Sequence, residues 1–345
     1  MHLFIALASL LSFIFGNDEA EIVFAGDAMM HARQIETARQ SDGSYDFSEY
    51  FPAITDYVKS ADYAVVNLET PISTPPYSGY PMFNAPAEYV DALKRAGFDL
   101  FLTANNHTLD RRDKGLCNTI DSLDKRNVDH IGTYKSDSSR DSQLPFVIEI
   151  NGIKVGFVNY TYGTNGLVPG KEVKVDYIDK NLMQKDVEKA RKKGAEFIFA
   201  CIHWGNEYQL LPHPSQKELA DYLVGIGVDA VIGGHPHVIQ PMELKEGRLV
   251  VYSLGNLISN MLTKDTRGGA LVKVKIARGD DGTVKISDAS YRLVFVETAE
   301  KDHNFRLKWV DDSPDPRAKA FAESARSIFN KHNINVREDL NKISK

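Results

Sequence analysis

Cysteine is nearly missing from this chain of 345 residues: only Cys117 and Cys201 occur. That excludes a disulfide framework and a cysteine-based zinc or iron–sulfur motif, and a chain this long builds a core without covalent staples. The spacing of the two thiols leaves open whether they pair. Positive charge is not in excess either: 41 Lys and Arg stand against 47 Asp and Glu, a formal net charge of −6. A general nucleic-acid binder is thereby excluded, although local basic side chains can still line a site for an anionic ligand. Internal repeats and low-complexity linkers are absent, and past the N-terminus no apolar run is long enough to span a bilayer. What remains is an ordinary globular composition, 43% hydrophobic and 26% charged, and one α/β domain is the economical reading.

The first residues read MHLFIALASLLSFIFGNDEA. Leu3 to Phe15 form an apolar run too short to cross a membrane comfortably, followed by a small Gly16 and a polar stretch. This is the pattern of a secretory signal peptide over residues 1–16, and it predicts an exported protein, periplasmic or extracellular. The run lacks a leading Lys or Arg and an A-x-A site, so an uncleaved membrane-associated segment or a buried first strand stays open as the alternative. No cysteine stands at the cut, so a lipoprotein anchor is not expected.

Short apolar runs then alternate with helical patterns. EIVFAG, ADYAVVNL, FDLFLTA, EFIFACI, VDAVIGG and RLVVYSL read as buried strands. PFVIEINGIKVGFVNY reads as a hairpin turning at Asn151-Gly152. Helices are expected over about 86–96, 114–127, 180–193 and 214–226, the last with Ser215 as N-cap and Glu218 completing a capping box. Residues 268 to 298 read as purely β with a turn at GDDG, and SPDPRAKAFAESARSIFNKH as a terminal helix.

The apolar strands end abruptly in polar residues: Asp27, then Asn67 and Glu69, then Asn105, Asn106 and His107, then His203, then His235 and His237. Taken singly each has a bland reading, as a cap, a solvated carboxylate or a packed imidazole. Ligand sites in layered α/β folds form at the carboxyl ends of strands, so five such ends are expected to converge. Carboxylates, an amide carbonyl and imidazoles without thiolate suit Mn, Fe or Zn. Too few carboxylates are present for calcium. One Glu bridging two divalent ions would give a two-metal hydrolytic site.

The motifs GDAMMH, NLETPI, TANNHTLD, HWGNEY, GGHPHVIQP and YSLGN, in this order over about residues 20–260, resemble the CapA family of capsule or poly-γ-glutamate biosynthesis proteins. The resemblance implies a calcineurin-like metallophosphoesterase fold, a four-layer αββα sandwich, over residues 20–300, with a helical extension over 301–345. It implies two divalent metal ions held by Asp27, Glu69, Asn106, His203, His235 and His237, with His107 as a catalytic acid. Asp27 is followed by Ala28 and Met29 where an Asp-x-His pattern is usual, so His31 is expected to supply the missing ligand, and Asp110 to orient His107. Arg111, with Arg112 and Lys114 beside it, Glu207, Tyr208 and Asn67 are the expected substrate contacts; a solvated helix start is the alternative for the basic cluster. The loops PPYSGYPMFNAP and YTYGTNG are expected to form rims above the site. Two functions stay open: a hydrolase of an anionic polymer or phosphoester, and a non-catalytic, polyanion-binding part of a capsule synthesis or export assembly beside other capsule proteins at the membrane.

Overall fold

The computed structural model describes residues 18–340, so the segment read as a signal peptide lies outside the described residues. The first half of the chain runs β1 (Glu19–Ala28), α1 (Ala32–Ala38), α2 (Pro52–Lys59), β2 (Tyr63–Leu68), α3 (Glu88–Ala96), β3 (Leu100–Leu102), α4 (Arg112–Asp124), β4 (Asp129–Ile131), β5 (Thr133–Tyr134) and α5 (Asp137–Gln143). Next come β6 (Phe146–Ile150), β7 (Ile153–Thr161), β8 (Lys174–Val175), α6 (Lys180–Lys192), β9 (Phe197–His203), α7 (Pro214–Gly225), β10 (Ala230–Gly234) and β11 (Ile239–Lys245). The chain closes with β12 (Arg248–Leu254), β13 (Asn256–Ile258), β14 (Gly268–Arg278), β15 (Val284–Glu297), β16 (Arg306–Trp309), α8 (Pro316–His332) and β17 (Arg337–Glu338).

These strands form two sheets and a short ribbon of β5 with β8. The first sheet has the order β16-β15-β14-β1-β2-β3-β4, with β13 beside β1 and β17 beside β15; the second has β11-β12-β10-β9-β7-β6. Strand alternation divides each sheet between two cores. From β1, Ile22 and Phe24 enter the space between the sheets and meet Phe157, Phe199, Ile232 and Val251 from the second sheet. Val23 and Ala25 face the other way, onto Ile54, Val58 and Leu93 of α2 and α3. On the second sheet, Ile198, Ala200 and Ile202 pack outward against Met183, Val187 and Leu223 of α6 and α7. The result is the expected αββα sandwich, with α8 closing the inner core through Phe321 and Phe329.

The hairpin turns where expected, with Asn151 at φ 48° and Gly152 at φ 80°. Two details differ from the sequence reading. The N-cap of α7 is His213, not Ser215: its ring accepts from Ser215 N and the Gln216 side chain closes the capping box. Pro214 favours the first helical position, which moves the cap one residue before it. The stretch after residue 300 also gives the first sheet two strands, β16 and β17. At four and two residues they are too short to show alternation. Cys117 and Cys201 are free thiols.

Candidate metal centre

β1, β2 and β3 are parallel to one another in the first sheet, as are β7, β9, β10 and β12 in the second. Their carboxyl ends deliver Asp27, Glu69, His203, His235 and His237 to one place. The turn after β10 shows why two glycines precede two histidines. A Cβ on Gly234 would stand 2.8 Å from Asp27 Oδ1, so only glycine lets that carboxylate approach. His235 and His237 then adopt φ 98° and 58°, the left-handed region. Such conformations cost on the order of 1–3 kcal/mol in a non-glycine residue and cluster at functional sites. The His235 backbone N–H donates to Asp27 Oδ2 at 3.2 Å, which ties the turn to β1.

Each ligand candidate is buried: Asp27 and Glu69 are 0% exposed, and His203, His235 and His237 are at most 3%. Burial alone disfavours the Asp27 anion, but hydrogen bonding and charge from His237, with smaller contributions from His203 and Asn67, hold its carboxyl well below the usual range. Glu69 goes the other way: burial, then the Asp27 charge, push its carboxyl well above. Burial also pushes two of the imidazoles, His203 and His235, toward the neutral form that ligates metals. His203 is held well below its usual value and His235 down to about 3.

At this place two groups of three side chains each bring their ligand atoms within 4.8 Å of one another: Glu69 with His235 and His237, and Asp27 with Glu69 and His203. Glu69 belongs to both. Its Oε1 lies 3.5 Å from His203 Nε2 and 3.8 Å from His237 Nε2, yet among the described residues it has no hydrogen-bond partner, and neither does the buried His235 Nδ1. Buried polar atoms are almost always satisfied, so orphaned atoms that are all good ligands fit bound cations. Asn106 joins through Oδ1, 2.8 Å from His203 Nε2.

The chain from residue 21 to 261 matches the profile described as "Bacterial capsule synthesis protein PGA_cap". It belongs to the PGA_cap family. It is 30% identical over 278 residues to "Capsule biosynthesis protein CapA" of Bacillus anthracis, covering 77% of this chain and 66% of that protein. It is 26% identical over 323 residues to "PGA biosynthesis protein CapA" of Bacillus subtilis, covering 86% and 82%. Among solved structures, a candidate 5′-nucleotidase of Staphylococcus aureus in complex with α-ketoglutarate superposes with a TM-score of 0.50 at 15% identity, covering 89% of this chain and 58% of that one. The shared feature is the metallophosphoesterase-like fold.

Against this PGA_cap frame the other expected residues sort clearly. His107 is 4% exposed, and its Nδ1 lies 2.8 Å from Asp110 Oδ2. The same oxygen accepts from the Phe83 backbone at 2.8 Å, and the Phe83 ring stands edge-on to His107 at 4.6 Å. His31 lies nearby but belongs to neither ligand group. It caps α1, its Nδ1 accepts from Asn260 N at 3.2 Å, its ring meets Phe83 at 5.2 Å, and burial lowers its pKa to about 4. Asn67 does not face outward as a substrate contact would. It is 7% exposed and donates to Asp27 Oδ1 at 2.8 Å. It stands two residues before Glu69, which puts both on one face of the chain. Arg111 precedes α4 half-buried, and among the described residues no carboxylate pairs with it. Glu207 and Tyr208 are exposed on the rim; the Tyr208 ring is 6.4 Å from that of His237.

Two residues at the site, Asn256 and Tyr162, have no role assigned from the sequence, and Asn105 only its place at a polar strand end. Asn256, from the YSLGN motif, has Oδ1 3.1 Å from His237 Nδ1 and so fixes that ring. Asn105 donates to Asn67 Oδ1 at 3.3 Å and to Leu68 O at 2.9 Å. Tyr162 stands over His235 with ring centroids 4.5 Å apart. In the sequence Asn256 closes the YSLGN motif, after a glycine that puts it at a strand break, and Tyr162 lies in the YTYGTNG loop expected as a rim.

Proposed function

We propose that this chain is a metal-dependent hydrolase of the cell envelope that acts through a binuclear site in the making or processing of poly-γ-glutamate capsule. The observation that carries the reading is the unpartnered, buried Oε1 of Glu69 set between the rings of His203 and His237. Asp27, Glu69, Asn106, His203, His235 and His237 would hold two divalent ions of the Mn, Fe or Zn type, and Asn67 and Asn256 fix the orientation of Asp27 and His237. Such ions supply Lewis acidity at a carbonyl or phosphoryl oxygen and lower the pKa of water. His107 moves the other proton: Asp110 holds its Nδ1, which leaves Nε2 to protonate the leaving group. The bond is a phosphoester or a γ-glutamyl amide, and the names of the Bacillus relatives favour a capsule polymer. The apolar segment Leu3–Phe15 supports export to the periplasm or outer surface, beside other capsule proteins at the membrane.

One observation favours a second reading. His31 stands in neither ligand group, and its Nδ1 accepts from Asn260 N–H, which leaves the Asp27 side with fewer ligands. A cleft with one weak ion site suits a polyanion-binding part of a capsule assembly. A hydrolysis screen of the metal-loaded protein over phosphoesters and γ-glutamyl peptides decides between them. Metal-dependent turnover in either class supports the hydrolase; tight polyanion binding with no turnover supports the assembly role.

A further inference from the structure

One aromatic ring away from the metal centre lies a cleft of about 450 Å³. Tyr162 belongs to both places: its ring is 4.5 Å from that of His235, and it forms a wall of the cleft. Ile178, Leu219 and Trp204 make the other apolar walls. Trp204 is 2% exposed, and its indole N–H donates to Tyr252 O at 2.8 Å, so the ring is fixed in place. At the mouth, Lys180 Nζ meets Glu218 Oε1 at 3.0 Å, with the two side chains 51% and 74% exposed.

We infer that this cleft is a subsite for an amino-acid-like unit, a short apolar stem carrying one carboxylate, in a chain whose next linkage reaches the metal centre. The inference rests on the hydrolase reading for that linkage. The volume lies in the range of small-ligand clefts, and such clefts are mostly apolar with a few placed polar groups. Among the described residues Lys180 is the single cation of the lining, which matches one carboxylate and not a cluster of phosphates. Glu218 stands where that carboxylate would go. Both partners are exposed and the pair is screened by water, so a ligand carboxylate replaces Glu218 without stranding a buried charge.

The two partners of this ion pair therefore predict opposite effects. The probe is a soluble γ-linked glutamate tetramer titrated into the metal-loaded protein. The chain has two tryptophans, so Trp309→Phe leaves Trp204 as the reporter. Lys180→Gln should weaken binding about tenfold, the loss of one charged hydrogen bond. Glu218→Gln, which releases Lys180, should tighten it several-fold. Calorimetry with otherwise natural sequence gives the same ranking if Trp309→Phe folds poorly. The inference is overturned if both variants leave affinity unchanged, if both move it the same way, or if a neutral oligosaccharide binds as tightly as the tetramer. The titration needs no turnover: charge-dependent binding without hydrolysis rejects the hydrolase reading alone, and hydrolysis with charge-independent binding rejects the subsite alone.

Discussion

Glu69→Gln separates the cost of burying this carboxylate from what it holds. Without metal, Glu69 is fully buried, its Oε1 lacks a partner, and the Asp27 charge raises its pKa. An unsatisfied buried polar group costs about 1–3 kcal/mol. Glutamine keeps the shape, removes the repulsion and puts an amide N–H where Oε1 stood, facing the ring nitrogens of His203 and His237. The chelated variant should therefore be as stable as the wild type or more so, by about 1–3 kcal/mol. Unfolding entropy of about 2.1 cal/mol/K per residue is about 0.7 kcal/mol/K for a chain this size, so Tm should rise by about 1–4 °C. With metal at a hundredfold excess over Kd, each ion should stabilise the wild type by about 2.7 kcal/mol, about 4 °C. The variant should lose most of that gain. Scanning calorimetry with and without chelator, alongside elemental analysis, gives both numbers. A variant that melts well below wild type in chelator, yet keeps the full metal-induced shift, would refute the bridging role.

Other outcomes follow from the same geometry. His107→Ala should leave metal content nearly unchanged and slow turnover about 10²–10⁴-fold, whereas His235→Ala should lower metal content itself; equal metal loss in both would remove the acid assignment. Burial holds His31 to about 4, His235 to about 3 and His203 well below 6.5. Below 6.5 the unfolded chain then binds protons that the native one does not, so the chelated protein should lose stability as pH falls toward 4. The slope is at most about 1.4 kcal/mol per pH unit per imidazole, and urea midpoints at pH 7 and 5 measure it; unchanged midpoints contradict it. Arg140 bridges the buried carboxylates of Asp176 (2.6 Å) and Asp186 (2.5 Å). Arg140→Ala leaves both uncompensated and should cost about 3–5 kcal/mol in denaturant unfolding with metal content intact.

How much was legible follows from where the signal lay. The inner strands are long apolar runs with one polar residue at the end, so sandwich and ligands could be read together; Asp27 and the His235-Pro236-His237 turn announce themselves. The outer strands β4, β13, β16 and β17 are two to four residues long and take their pairing from neighbours, which no local pattern encodes. α1 is not among the helices expected from the sequence, and its cap, His31, is held by Asn260, a contact across 229 residues. Asn67 shows the limit for side chains. Its residue type suggested a polar contact, but its neighbours across β1 and β9 made it the donor to Asp27 and, at 3.4 Å, a neighbour of His203 Nδ1.

Metal stoichiometry with anomalous diffraction at the metal edges tests the central claim most directly. The account predicts two divalent ions per chain, about 3.5–4 Å apart, with Glu69 shared between them, Asp27, His203 and Asn106 beside one ion and His235 and His237 beside the other. Protein purified under metal-replete conditions that holds no ion, or a single ion to which Glu69 does not bind, would contradict it.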